Sequence, residues 1–248
     1  VLSYSEMAFT SSKRTDGTNN RPEFRLEGGQ IQKVRKIKAA SVIIPVTYYN
    51  VNSSNNTFSF EESAGGGSVD STLTIGNYND TTFATELKTQ MEADSVNGYT
   101  YTVTVSAATF KMTISTAANF EVDVSTSSVL TGFSTATVAA TSATGDLLVN
   151  LSGPNQLYLR SNIATRISTS SVVKNDKIFN NVLATIPINV NTFEYVYKSF
   201  DTTQYFDADI DIQDLEFYFT DDDDTQIDFN GVPFSLTIQL FRETRDSR

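Results

Sequence analysis

The chain has no histidine and no cysteine, and each absence excludes a class of function. Without histidine, it lacks the usual general base of enzymes and the commonest metal ligand. Catalysis by Ser-His-Asp or Cys-His groups is therefore excluded within this chain. Ordinary zinc sites are excluded as well, because they are built from cysteine and histidine. Disulfides are also excluded, and the redox compartment stays undetermined.

Long apolar runs are missing too. No stretch approaches the roughly 20 consecutive apolar residues that a transmembrane helix needs, so we predict no membrane span. What the sequence does contain is aromatic: 17 phenylalanines and 11 tyrosines among 248 residues, which can build a sizeable core. This length allows one large β domain, or one domain with a smaller one attached.

Charge is distributed unevenly along the chain. Residues 1–38 hold eight basic and four acidic residues, a net +4, and the remaining residues carry a net −15, which together give the total of −11. Residues 201–228 contain eleven acids and no lysine or arginine. Taken alone, the basic segment is typical of a solvated arm and the acidic segment of a solvated loop. Together, they indicate that the two ends meet different surroundings.

The clearest strand patterns lie near the C-terminus. Apolar and polar residues alternate along three runs, and this period of two places one set of side chains in a core and the other in solvent. The pair Asn230-Gly231 favours a tight hairpin, because both residues tolerate positive φ. We therefore predict an antiparallel set of strands here. The runs are 206–212, 215–220 and 234–240.

The middle of the chain has a different character. Phe83, Leu87 and Met91 fall on one face of a helix predicted over 81–93, with Asn79 or Asp80 as its N-cap. Short strands are predicted around this helix. A glycine-rich stretch enters the segment and a Ser/Thr-rich stretch leaves it, as expected for an insertion. The predicted strands are 71–75, 99–105, 110–114 and 120–124, and the two connectors are 63–68 and 125–145.

These patterns predict a mainly β fold: an antiparallel jelly-roll sandwich of roughly eight strands with a small inserted β-α-β-β subdomain. Periodicity alone fits another Greek-key sandwich equally well. We predict three parts: an extended N-terminal arm, a jelly-roll body in two segments, and the insertion. Their bounds are 1–20 for the arm, 21–68 and 141–248 for the body, and 69–140 for the insertion.

Three stretches also resemble motifs of a known group. Ile44–Asn50, with the Asn55–Phe58 stretch after it, resembles an "IPNTFYN…NN" segment. Leu73–Tyr78 resembles an "I-P-x-G-N-Y" element, although its proline is missing here. Leu215–Ile238 resembles an "I-D-L-N-G-x-x-F-S-F-T-L" ending. The group is the minor capsid, or penton, proteins of virophages, polinton-like viruses and related double-jelly-roll DNA viruses.

The resemblance implies a structural jelly-roll protein of the virion, with no catalytic residues, no metal and no cofactor. It implies a homopentamer at the fivefold vertices that binds the surrounding major capsid protein. Other minor capsid proteins or a vertex spike are further partners that it leaves open. Residues 1–20 would then become ordered only in the assembled shell. The alternative is a β-sandwich head or fibre module that binds a receptor or carbohydrate through the insertion.

Charged residues of the basic N-terminal segment and the acidic C-terminal region are the candidate assembly contacts. Asp207, Asp209 and Asp211 share one strand face, and they repel one another unless water, a cation or basic groups from another chain meet them. The candidates are Lys13, Arg14, Lys33, Arg35, Lys36, Lys38, Asp207, Asp209 and Asp211.

Other candidate sites in the sequence have simpler interpretations. The run Asp221–Asp224 offers carboxylates to Ca²⁺, but it lacks the spacing of a dedicated calcium loop and suits an acidic turn better. A carboxylate pair for glycoside hydrolysis, which needs no histidine, is the third alternative for function. The basic residues 33–38 lack a phosphate-binding loop or a groove-reading helix, so specific nucleic-acid binding is not expected. N-x-S/T sequons occur at Asn52, Asn55, Asn79 and Asn150.

Overall fold

The computed structural model describes residues 2–26, 30–62, 67–163, 170–174, 177–200 and 205–243. The chain forms two compact units, each with its own apolar core. Unit 1 comprises Val1–Tyr48 and Pro154–Arg248, and unit 2 comprises Tyr49–Gly153. Unit 2 is therefore wider than the insertion at 69–140 that the sequence suggests.

The described elements are mostly strands. In chain order they are β1 (Leu2–Thr10), a 3₁₀ turn (Ser11–Lys13), β2 (Asp16–Gly17), β3 (Pro22–Arg25), β4 (Ile31–Pro45), β5 (Thr57–Glu62), β6 (Ser68–Thr72), α1 (Asp80–Asp94), β7 (Thr102–Val105), β8 (Met112–Val122), α2 (Ser128–Thr131), β9 (Ala140–Thr144), β10 (Gln156–Ser161), β11 (Ser170–Lys174), β12 (Lys177–Pro187), β13 (Tyr195–Ser199), β14 (Phe206–Ile212), β15 (Asp214–Thr220) and β16 (Ser235–Glu243).

The strands of unit 1 form two antiparallel sheets. In the first sheet the order is β1-β16-β4, with β13 and β14 both paired to the far edge of β4. In the second sheet the order is β11-β12-β10-β15-β3-β2. Along the chain, β1, β4, β13 with β14, and β16 enter the first sheet, whereas β3, β10 with β12, and β15 enter the second. This alternation is jelly-roll winding, and it confirms the predicted fold class.

The core of unit 1 lies between the inward faces of its two sheets. Alternate residues of β16 are buried, as the period of two requires. The ring of Phe219 on β15 is 4.8 Å from Phe234 and 5.5 Å from Phe229, measured between ring centroids. All three rings are almost fully buried, and burying each one contributes roughly 1.5–3 kcal/mol to folding.

The C-terminal strands do not pair with one another, so the prediction of a hairpin there is wrong. β14 and β16 lie on opposite sides of β4, whereas β15 lies between β10 and β3 in the second sheet. Asn230 and Gly231 do adopt the predicted positive φ, at 52° and 81°. Their turn, however, belongs to the connection that carries the chain from one sheet to the other.

The N-terminal segment also differs from the expected arm. β1 pairs with β16 over its whole length, from Leu2 opposite Glu243 to Thr10 opposite Ser235. The ring of Phe9 is buried, with its centroid 4.9 Å from Phe24. Phe9 therefore belongs to the core of its own chain, and Met7 packs against that core.

Further local predictions need correction. The apolar pattern of 31–50 suggests two strands interrupted near Pro45, but β4 runs unbroken to Pro45. The pattern of 147–151 suggests another strand, but this stretch is irregular, and the predicted connector 125–145 contains α2 and β9. The weak pattern of 161–178 suggests a long loop, but this stretch contains β11 and the first residues of β12. Its residues 164–169 and 175–176 lie outside the described residues, as do 63–66 of the first connector.

Unit 2 contains a third antiparallel sheet, in the order β6-β5-β8-β7, and β9 also pairs with β8. The predicted helix is confirmed as α1. Asn79 caps it through a capping box with Thr82, in which each side chain bonds the backbone amide of the other residue. Phe83, Leu87 and Met91 are fully buried and form part of the core of unit 2.

None of the helices in the described part of the chain has the length and apolar character needed to span a membrane.

Candidate functional site

The acidic strand β14 lies directly beside the basic part of β4. Asp207 is opposite Lys36 in the register of the two strands. The carboxylate of Asp211 accepts a hydrogen bond of 2.8 Å from the backbone amide of Lys33, a residue with a left-handed φ of 56°. Opposite charges on neighbouring strands attract, so this pairing relieves the repulsion among the aspartates. The basic groups that meet them therefore come from the same chain.

Arg35 links three adjacent strands of the first sheet. Its guanidinium donates hydrogen bonds to Asp209 on β14 and, at 2.7 Å, to Glu243 on β16. The hydrogen bond from Arg35 holds the pKa of Glu243 below its usual value. Both acids are exposed at the surface, as is much of the arginine. Arg35 is thus already engaged within its own chain.

Lys38 is buried, although it sits on the outer face of the first sheet. Its side chain is only 2% exposed, and its ammonium group lies 4.9 Å from the centroid of the Tyr205 ring. Glu6 lies in the same row of the sheet, beyond Gln239. The hydrogen bond from Gln239, together with the charge of Lys38, lowers the pKa of Glu6. Lys38 therefore stabilises its own sheet.

The other two basic candidates flank the 3₁₀ turn. Lys13 is its last residue and is exposed. Arg14 folds back on its own loop: its Nε donates to the carbonyl of Gly17 at 2.9 Å, and its Nη1 donates to the side chain of Asn19. Among the described residues we find no side-chain hydrogen bond or ion pair for four of the nine predicted contacts, all of them exposed: Lys13, Lys33, Lys36 and Asp207.

The acidic turn at 221–224 is fastened to β10. Asp222 accepts a hydrogen bond of 2.9 Å from the hydroxyl of Tyr158, and Asp224 forms an ion pair of 2.6 Å with the buried Arg160. The carboxylate of Asp221 accepts from backbone amides of the turn itself, and burial raises its pKa. Three of the four carboxylates therefore bind separate groups of this chain, as expected for an acidic turn. No group of three or more potential metal-ligating residues occurs in the described chain.

Sequence reasoning missed the apolar side of the first sheet. In the described part of unit 1, the large hydrophobic side chains that remain exposed all lie on the outer face of this sheet or beside it. Tyr197 is opposite Ile43 in register, and the inward-facing Val196 between Tyr195 and Tyr197 is buried. We call this set the aromatic face. Its members are Tyr4 (52% exposed), Ile43 (42%), Phe193 (76%), Tyr195 (57%) and Tyr197 (67%).

Unit 2 has an apolar cavity of its own, of about 530 Å³. Val129, Leu147 and Leu148 line it and are each more than half exposed. Gly132 allows the close approach of the two loops that form it: a Cβ at this position would lie 2.5 Å from the carbonyl oxygen of Leu147. The close packing of these two loops therefore gives unit 2 a preformed apolar cavity at its surface.

The buried carboxylate of Glu62 organises the other end of unit 2. Its Oε1 accepts hydrogen bonds from Ser95 and, at 2.7 Å, from the hydroxyl of Tyr101, and its Oε2 accepts from the amide of Asn97 at 2.8 Å. Burial alone raises the pKa of Glu62, but these hydrogen bonds together outweigh it and hold the pKa below its usual value. These three hydrogen bonds hold the chain between α1 and β7, which indicates a structural role for the carboxylate.

Of the comparisons with known proteins, the one with solved structures gives a match. No family model matches the chain. A search of curated proteins finds no match either. Among solved structures, the chain is similar to the crystal structure of selenomethionine-labelled mavirus penton protein, with a TM-score of 0.54 and 10% sequence identity. The match covers 96% of this chain and 99% of that one. At this identity, the likeness shows a shared fold.

Proposed function

We propose that the chain is a non-enzymatic capsid protein: a penton that forms a homopentamer at the fivefold vertices of a DNA virus and binds the surrounding major capsid protein. The observation that carries this proposal is the extent of the fold likeness. It spans almost the full length of both chains, so it includes the jelly roll and the long insertion together. The partial sequence motifs at 44–58, 73–78 and 215–238 point the same way.

The chemistry of the chain supports a role in assembly. Among the candidate residues, Arg35 binds Asp209 and the backbone of Lys33 binds Asp211, and the acidic turn binds β10, so these groups are engaged within the chain. What unit 1 leaves exposed is the aromatic face. Exposed aromatic side chains are common at protein–protein contacts, where tyrosine is enriched.

A second function is favoured by the apolar cavity of unit 2. A head or fibre module needs a formed recognition surface, and Val129, Leu147 and Leu148 provide one outside the jelly roll. If this is the main role, replacing Leu148 by aspartate should abolish attachment to host cells and leave the assembly of the protein unchanged. If the chain is a penton, its main function is instead assembly with further copies and with the major capsid protein.

The mass of the assembled protein tests the proposal. Native mass spectrometry, or light scattering after size exclusion, should give five times the 27.3 kDa of one chain. A ring of five needs contacts between two different surfaces of each copy. A stable dimer or trimer as the highest closed state would contradict the penton role.

A further inference from the structure

The first sheet ends in two strands that complement one another. β1 is its terminal strand on one side and β13 on the other, and no described strand pairs with the outer edge of either. Each edge carries exposed aromatic side chains on the outer face: Tyr4 on β1, and Tyr195 and Tyr197 on β13. An unpaired strand edge is a template for pairing with another chain, unless it is blocked.

The directions of the strands suit such a pairing. β1 pairs antiparallel with β16, β16 with β4, and β4 with β13, so β1 and β13 run in opposite directions. If the β1 of a second copy continued the sheet beyond β13, the two strands would therefore be antiparallel. This is the common and slightly more stable arrangement.

Charge favours the same contact. The one charged residue of β1 is the acid Glu6, and the one charged residue of β13 is the base Lys198. Two copies that each carry a net charge of −11 repel one another, so a stable contact needs a surface that is apolar or of opposite sign. The β1 and β13 edges carry exposed tyrosines and single charges of opposite sign, whereas two β13 edges would bring like charges together. Glu6 lies in an outward row of the sheet and Lys198 in the inward row of Val42, so the two charges set the sign of each edge without forming an ion pair.

We propose that a second copy of this chain docks with its β1 edge against the β13 edge of the first, so that the first sheet continues from copy to copy and the aromatic face becomes part of the contact. The inference rests on the proposed function, since a head-to-tail contact between two different edges is one that a closed ring requires. It adds the surfaces that make the contact, which the fold likeness does not give.

The absence of cysteine makes the contact testable by cross-linking. Ala8 and Ser199 are exposed and lie at opposite ends of one row across the sheet, through Thr237 and Ser41. We would prepare Ala8→Cys and Ser199→Cys as separate full-length proteins, mix them, and treat them with a short bismaleimide. Cross-linked dimers should form in the mixture and not from either variant alone.

Other outcomes separate this inference from the proposed function. If the oligomer forms but the mixture gives no cross-link, or if Ser199→Cys cross-links alone, the β1–β13 contact is overturned while the penton role stands. If the unmodified protein forms no oligomer at all, the result contradicts the penton role itself, and the β1–β13 contact that rests on it is overturned as well.

A second variant tests the aromatic face directly. The double substitution Tyr195→Ser/Tyr197→Ser should weaken association at least about tenfold, because buried tyrosines are frequent hot spots. Phe110→Ser, which removes an aromatic residue of unit 2 that is 58% exposed, is the matched control and should leave association unchanged. Equal association of both variants and the unmodified protein would overturn the proposal, provided that circular dichroism shows each of them folded.

Discussion

Deleting residues 1–10 is expected to destabilise unit 1 by at least about 4 kcal/mol, because truncation of one buried phenylalanine alone costs roughly 3–5 kcal/mol. The deletion removes Phe9, which packs on Phe24 and, with ring centroids 5.4 Å apart, on Phe217 in the second sheet. It also strips β16 of its hydrogen-bonded neighbour. Since a domain is typically stable by about 5–15 kcal/mol, much of the folded state of unit 1 would be lost.

Chemical denaturation followed by far-ultraviolet circular dichroism measures this effect. The point variant Phe9→Ala should reproduce most of the loss. Tyr4→Ser on the same strand is the control, and it should lower the free energy of unfolding by only about 1 kcal/mol, since the side chain is half exposed and its ring packs on Phe241 alone among the described aromatic rings of the first sheet. If the deletion changes stability by no more than this control, the segment is a docking arm and not part of the sheet.

Replacing Glu62 by glutamine is expected to destabilise unit 2 by about 3 kcal/mol. Both carboxylate oxygens accept hydrogen bonds. In glutamine an amide NH₂ group, which donates and does not accept, replaces one of them. At least one buried donor then loses its acceptor, and hydrogen bonds to a charged group are worth about 1.5–3 kcal/mol each. Glu121→Gln, on the neighbouring strand β8, is the control.

The effect should depend on pH in a defined direction. Because the pKa of Glu62 is lowered in the folded state, its contribution is fully present above the ordinary value of about 4.3 and is lost as the pH falls through the folded value. The difference between the unmodified protein and Glu62→Gln should therefore be large near neutral pH and shrink in acid. A difference that grows in acid would contradict the role of the carboxylate.

The same variant tests whether the two units fold separately. We propose that unit 2 is a separable domain, since each unit has its own core. Calorimetry of Glu62→Gln should then show an earlier transition for unit 2 and an unchanged one for unit 1. If both transitions move together, the units fold as one and this proposal is wrong.

Local features of the fold could be predicted, because their causes are local. α1 was predictable from Phe83, Leu87 and Met91 at helical spacing and from a capping residue beside them. The alternation within β15 and β16 likewise predicted which side chains are buried. The positive φ at Asn230 followed from its neighbour Gly231.

Pairing between distant strands could not be predicted from those patterns. Nothing in 206–241 shows that β15 leaves its neighbours for another sheet, because alternation is the same in either sheet. The register that sets Asp207 beside Lys36 joins residues far apart in the chain, and for that reason the charged candidates looked like contacts for another molecule. The alternation of Tyr195, Val196 and Tyr197 held the missing signal, since it placed two aromatic residues on the solvent face of an edge strand.

The central proposal is that this chain forms the vertices of a viral shell, and an image of the particle tests it most directly. Cryo-electron microscopy of particles that contain the protein, reconstructed with icosahedral symmetry, should show five copies of the jelly roll around each fivefold axis. In the same map, the β1 edge of each copy should face the β13 edge of the next. Density for the chain at any other position in the shell, or its absence from the fivefold axes, would contradict the account.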